Sequence, residues 1–371
     1  MMDAGPVRVA VVGAGAFGRN HLRVYRELEQ AGYPVALAAV IDPDESARTA
    51  AEAKYGVRGY ATIEDCMAAD PTHDDETVMN GAPGRNHPTY DDEAVMNGAP
   101  GPITAASVCV PTVHHAECAR ALMAAGIDLL IEKPLAASLE EADELVRLAR
   151  EQGRVVQVGH LERFNPAVRA VRGLLNRPMF FEVHRLSVFT PRSLDVDVVL
   201  DLMIHDLDIV LKLVDEPVRE VRAVGLPVLS KKVDIANVRL EFENGCVANF
   251  TASRVSTERV RKMRFFQPHQ YLSLDFARQD LLMIDVSAAA GMDVAQMAAL
   301  ASSGAGPVPG MSIGKVPVEV GEPLRLEIEA FLNAVRGRTE PEVTVEDGRA
   351  ALRLALEINA AIAAHARRTG L

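Results

Sequence analysis

Gly13-x-Gly15-x-x-Gly18 follows directly on Val7–Val12 (VRVAVV), a β-branched apolar run that reads as a strand buried on both faces. Asn20–Gln30 then has helical spacing, and a second apolar run, Val35–Ile41, ends on Asp42. The glycine spacing alone says little. Between a strand and a helix, with an acid closing the next strand, it marks a dinucleotide-binding turn. The glycines allow a tight turn and close backbone approach, and the helix start offers free N–H groups and a positive dipole end to a pyrophosphate. Gly13, Gly15, Ala16, Phe17 and Gly18 are therefore the expected cofactor contacts, and Asp42 is expected to accept the ribose hydroxyls. A 2′-phosphate would meet a like charge there, and Asp44 and Glu45 add two more acids, so the expected cofactor is NAD.

The strand–helix alternation continues through Ala105–Val110, Leu129–Ile131 and Val155–Val158, with a capping box at Ser138-Leu-Glu-Glu141. It predicts an α/β Rossmann domain, a doubly wound parallel sheet, over residues 1–160. Beyond that the texture changes. Ala236–Phe242 alternates with period two, Asn244-Gly245 marks a hairpin, and Cys246–Ser253 alternates again. Arg261–Phe276 and Leu281–Val286 extend the antiparallel character, Ser287–Gly310 reads as an irregular connection, and helices are expected near Leu324–Val335 and Val345–Arg367. Residues 161–371 are thus expected to form an α+β domain with an open, mainly antiparallel sheet for substrate binding and oligomerisation. Its C-terminal helices, within 324–367, are expected to pack back, and a second subunit is expected to cover one sheet face.

Composition excludes several classes. A chain of 371 residues, 49% hydrophobic and 24% charged, has the make-up of an ordinary globular protein. Its net charge of −12 argues against a fold-wide nucleic-acid surface. No apolar run is long enough to span a membrane, and no basic, apolar leader opens the chain, so a cytoplasmic location is expected. Cys66, Cys109, Cys118 and Cys246 show no paired spacing and read as reduced thiols. No third ligand with recognisable spacing accompanies Asp201 and His205, and no metal is expected. One segment, Pro71–Gly84, recurs as Pro88–Gly101 with 12 of 14 residues identical. It is acidic and turn-rich, has no apolar face, and reads as a duplicated surface insertion at the edge of the sheet opposite the cofactor.

Candidate chemistry gathers just beyond strand ends. Pro111-Thr112 with His115 follows one strand and Glu132-Lys133-Pro134 the next, where a doubly wound fold assembles its site. Only seven of the 39 basic residues are lysines, which gives Lys133 added weight. A lysine held in a crevice can take part in proton transfer. If Asp201-Leu-Met-Ile-His205 is helical, its carboxylate and imidazole share one face, an arrangement suited to general-base work. Arg163, Asn165, Arg185 and Arg192 are expected to bind substrate, because guanidinium forks suit diphosphate oxygens.

These motifs, with Gly159-His-Leu-Glu-Arg163-Phe-Asn165-Pro, resemble the Gfo/Idh/MocA family over nearly the whole chain. The resemblance implies NAD-linked oxidation of a secondary alcohol, with His205 taking the hydroxyl proton, Lys133 acting at the same carbinol and Asp201 orienting substrate. It also implies that Pro111, Thr112, His115, Glu132 and Lys133 contact the cofactor. The runs Gly159–Ala167, Val198–Asp206 and Ala252–Ser256 are similar to a branch acting on the nucleotide sugar UDP-N-acetylglucosamine, oxidised at C3. That branch implies a downstream aminotransferase on the route to lipid A. Alternatives are another sugar or inositol dehydrogenase, or a dinucleotide-binding sensor or co-repressor.

Overall fold

The computed structural model describes residues 5–69, 102–190, 196–302 and 310–370. The duplicated 71–101 segment and Arg192 lie outside them. The chain divides into two compact units, Met1–Gly159 with Ile328–Val345, and His160–Glu327 with Glu346–Leu371.

The first unit is a six-stranded parallel sheet, β1 (Val7–Val12), β2 (Val35–Ile41), β3 (Arg58–Tyr60), β4 (Ala105–Val108), β5 (Asp128–Glu132) and β6 (Val156–Gly159). Their order, β3-β2-β1-β4-β5-β6, is that of a dinucleotide-binding fold. The helices are α1 (Gly18–Gln30), α2 (Glu45–Tyr55), α3 (Ile63–Ala68), α4 (His115–Ala124) and α5 (Leu139–Glu151). Central strands bury nearly every side chain, as Val9, Val11, Leu130 and Ile131 do, because helices cover both faces. The Ser138 hydroxyl accepts the Glu141 N–H at 3.2 Å, which starts α5 where the capping box predicts. Residues 328–345 complete this unit. Val158 N–H donates to the Val343 carbonyl at 3.1 Å, Arg338 pairs with Asp128, and the Tyr33 hydroxyl donates to Asn333 Oδ1 at 2.7 Å.

The second unit is built on an eight-stranded sheet. Its strands are β7 (Phe180–Val188), β8 (Val218–Leu226), β9 (Ile235–Phe242), β10 (Val247–Ser256), β11 (Val260–Gln267), β12 (Gln270–Asp275), β13 (Asp280–Asp285) and β14 (Ser312–Val316). Only the β7–β10 pairing is parallel. Along β9, Ala236, Val238, Leu240 and Phe242 are buried while Asn237 and Arg239 are exposed, the period-two pattern of a sheet with one covered face. That face carries Phe181, Phe250 and Phe265 and packs on α6 (Pro166–Val171), α7 (Ile204–Val214) and the final helix. The hairpin at Asn244-Gly245 forms as expected, with Gly245 at φ 82° and Asn244 Oδ1 accepting the Cys246 N–H at 2.9 Å. The segment expected to be irregular contains a helix, α8 (Val294–Ser302), since its Ala, Met and Leu are good helix formers. The chain closes with α9 (Pro323–Gly337) and α10 (Val345–Thr369).

Candidate active site

In the turn after β1, two glycines face protein and one faces open space. Gly13 has φ 95°, and a Cβ there would lie 2.8 Å from the Cys109 carbonyl. A Cβ on Gly18 would lie 1.8 Å from the Gly13 carbonyl oxygen. Nothing lies within 4 Å of the place a Gly15 Cβ would take. The fold does not require that glycine, and its open side has the room that a pyrophosphate approaching the backbone would need. Ala16 and Phe17 are exposed beside it.

Helix α1 begins with no side-chain cap and no acid in its first turn. By contrast Asp44, Thr62 and Ser138 cap α2, α3 and α5. The Arg19, Asn20 and His21 amides bond to the Gly15 and Phe17 carbonyls, so what the start of α1 offers an anion is its positive dipole end and the turn before it. Asp42 Oδ2 accepts the Ala14 N–H at 2.6 Å and Oδ1 accepts the Asp44 N–H at 2.8 Å. The half-buried carboxylate therefore ties the glycine turn to the end of β2. It also lines a cavity of about 470 Å³ with Gly15, Glu64, Pro111, His114 and Glu117. Three acids on that wall suit ribose hydroxyls and oppose a further phosphate. The residues present fit an NAD molecule.

Two expected cofactor contacts are placed differently. Glu132 and His115 are 7% and 1% exposed, and both side chains turn inward. Glu132 Oε1 lies 3.0 Å from His21 Nε2, and the His115 nitrogens each lie 2.9 Å from a backbone carbonyl, of Pro134 and of Val110. Their hydrogen bonds are spent on the protein. Pro111 is exposed on the cavity, Thr112 is half-buried in a 3₁₀ turn, and Lys133 is half-buried at the exit of β5.

In the second unit Asp201 lies in a π-helical turn, Val199–Met203, and His205 follows in the first turn of α7. The expected α-helical stacking four residues apart is thus replaced by the wider i→i+5 turn, a feature frequent at functional sites. Asp197 sets it up, its Oδ1 accepting the Val199 and Leu200 N–H groups at 2.9 and 3.0 Å. His160 packs edge-on against His205 with ring centroids 6.5 Å apart. Sequence reasoning passed over His160 as a site residue. Its place directly after β6 was the available signal.

The expected diphosphate contacts need correction. Arg163 and Arg185 are 2% and 3% exposed, and their guanidinium forks grip carboxylates of their own unit. Arg163 donates to Asp208 at 2.8 and 2.5 Å. Arg185 donates to Asp206 at 2.7 and 2.8 Å and to Glu162 at 2.9 Å. Burial works against both ends, yet Asp206 and Glu162 hold the Arg185 guanidinium above its usual range, while His160 and Arg163 hold Asp208 below its own. Asn165 is 1% exposed and caps α6, accepting the Ala167 N–H at 3.1 Å. These residues fix α7 in place, with Asp206 and Asp208 on either side of Leu207 and His205 just before them.

A parallel sheet in this order, a helix start without a side-chain cap and an acid-lined cavity beside it define a dinucleotide-binding fold suited to NAD. Residues 7–160 match the family described as "Oxidoreductase family, NAD-binding Rossmann fold", and residues 167–267 match "GFO/IDH/MocA C-terminal domain". The chain belongs to the Gfo/Idh/MocA family. It is 33% identical to the UDP-N-acetylglucosamine 3-dehydrogenase of Acidithiobacillus ferrooxidans over 98% of this chain and 99% of that one. A solved structure of that enzyme superposes with TM-score 0.78 at 30% identity, covering 97% of this chain and 98% of the other. Inositol 2-dehydrogenase of Corynebacterium glutamicum is 26% identical over 55% of this chain and 53% of its own. Among the described residues, no helix is long and apolar enough to cross a membrane.

Proposed function

We propose that the chain oxidises UDP-N-acetylglucosamine at C3 of the sugar, using NAD. The likeness to the Acidithiobacillus ferrooxidans enzyme over nearly the full length of both chains carries this reading. NAD, when bound, supplies the acceptor for the carbinol hydride. His205 takes the hydroxyl proton at a ring nitrogen, Lys133 donates a hydrogen bond to the same oxygen, and Asp201 orients the sugar. With Arg163 and Arg185 committed to buried carboxylates, the diphosphate falls to Arg192 and to Arg261 on β11. Arg261 pairs across β11–β7 with Arg185 and keeps 39% of its side chain exposed. Burial and the neighbouring Arg185 and Arg259 press its pKa down against the pull of Glu162, 3.9 Å away, and of Asp206. A homo-oligomer, and an aminotransferase that consumes the ketone in lipid A synthesis, belong to the same reading.

The test is purified protein with NAD and UDP-N-acetylglucosamine, followed by absorbance of the reduced cofactor, with the product trapped by an aminotransferase and glutamate. Lys133→Ala and His205→Ala should each lose on the order of 10²–10⁴-fold in turnover and keep NAD binding. Arg261→Ala should raise KM for the nucleotide sugar. Turnover of free inositol or glucose with none of the nucleotide sugar ends the substrate assignment.

A further inference from the structure

Lys133 stands between two residues that are each held by a buried histidine, one from α1 and one from α4. Before it, Glu132 Oε1 lies 3.0 Å from His21 Nε2, and His21 is fully buried. A ring nitrogen facing a carboxylate carries the proton, so Nε2–H donates. Nδ1 lies 3.1 Å from the Ser107 hydroxyl, and Ser107 Oγ lies 2.8 Å from the Tyr25 hydroxyl. Gly159 on β6 leaves room for this carboxylate, since a Cβ there would come within 2.9 Å of Oε1. After Lys133, the Pro134 carbonyl lies 2.9 Å from His115 Nδ1, and His115 Nε2 lies 2.9 Å from the Val110 carbonyl at the exit of β4. Burial pushes the His115 imidazole down, while its hydrogen bonds to the Val110 and Pro134 carbonyls act to raise it.

Two apolar side chains would close this part of the sheet at lower desolvation cost than a buried carboxylate–imidazole pair. What the polar version adds is direction. His21 belongs to the helix that opens at the glycine turn, so it registers the β5 exit against the pyrophosphate site. His115 registers the same exit against β4. We propose that His21 and His115 form a two-sided clamp that sets where the Lys133 amine points. They are positioning residues rather than cofactor contacts. The inference rests on the assignment of Lys133 to the reacting oxygen.

The experiment is a double-mutant cycle with a second readout that needs no turnover. His21→Phe and His115→Phe remove the hydrogen bonds and keep an aromatic ring at each place. Each should lower kcat by about 100-fold, the scale of a displacement on the order of 1 Å at a reacting group, while Kd for NAD is unchanged. In the Lys133→Ala background the same substitutions should leave the residual rate unaltered. His115→Gln, which keeps a donor, should recover most of the loss. Equal losses in both backgrounds mean general damage and overturn the clamp. The seven lysines, reductively methylated with ¹³C, provide the independent readout: the resonance missing from Lys133→Arg should move in both Phe variants. An unmoved resonance overturns the clamp even if one variant is too unstable for kinetics, because the other variant and Glu132→Gln test the same contact set. Near-native turnover in Lys133→Ala alone overturns the role of Lys133, a failure read separately from the clamp.

Discussion

Gly18 packs so closely on Gly13 that a Cβ on the first would overlap the carbonyl oxygen of the second, whereas Gly15, between them, has open space where its Cβ would be. One motif therefore holds two kinds of glycine. Gly15→Ala should fold with wild-type thermal stability, since φ at Gly15 lies outside the left-handed region, and should weaken NAD on the order of tenfold, about 1.4 kcal/mol. Gly18→Ala should instead destabilise the protein by about 1–3 kcal/mol, the usual cost of overpacking. Thermal melts with NAD titrations distinguish the two. Equal stability losses at both positions would contradict the division.

The Asp42 carboxylate both ties down the glycine turn and lines the cavity beside it. Asp42→Asn keeps an oxygen for the Ala14 N–H and removes the charge that repels a 2′-phosphate. Catalytic efficiency with NAD should fall by roughly tenfold or more, the scale of a hydrogen bond to a charged group, and the preference for NAD over NADP should narrow. A wild-type chain as efficient with NADP as with NAD would contradict the reading of the cavity.

Arg185→Ala tests whether the buried forks hold the fold or bind ligand. It leaves Asp206 and Glu162 buried without their guanidinium and should cost about 3–5 kcal/mol in urea unfolding. A stable variant with only a raised KM for the nucleotide sugar would restore Arg185 as a ligand residue.

Asp234 gives the pH dependence. Burial alone would raise its pKa, but the Val228, Leu229 and Ser230 N–H groups and the Ser230 hydroxyl, all within 2.8 Å, hold it at about 2. An unfolded aspartate titrates near 3.9, so this stabilisation is complete above about pH 4 and lost as pH falls through about 2. Asp234→Asn should lower the urea midpoint at pH 7, and the gap to wild type should close between about pH 4 and pH 2. A gap of constant size across that range would contradict the assignment.

Short-range rules made the first unit legible, because a glycine turn, a capping box and apolar strands each declare themselves within a few residues. The β9–β10 hairpin was legible for the same reason. β7 was not, because Arg185 occupies a core-facing position and breaks its apolar alternation. The arginines misled because a guanidinium's partner is set at long range. Asp206 and Asp208 lie 21 and 45 residues from the arginines they hold. Glu132 and His115 lie at the right strand ends for cofactor contacts, and only the third dimension shows that their side chains turn inward. The π turn depends on the Asp197 carboxylate gathering two amides, and no apolar spacing encodes that.

The first unit is closed by a stretch of chain made almost last. During synthesis every strand of the nucleotide sheet leaves the ribosome by residue 159, yet Arg338, Val343 and Thr344, which engage Asp128, Val158 and Gln157, follow much later. Until then the margin of β6 lacks its cover and stands open to pairing with another chain. A fragment cut at residue 160 would keep that open margin permanently. The NAD-binding half of this enzyme is therefore contiguous in space but not in the gene, and excising it as a working module requires carrying residues 328–345 along.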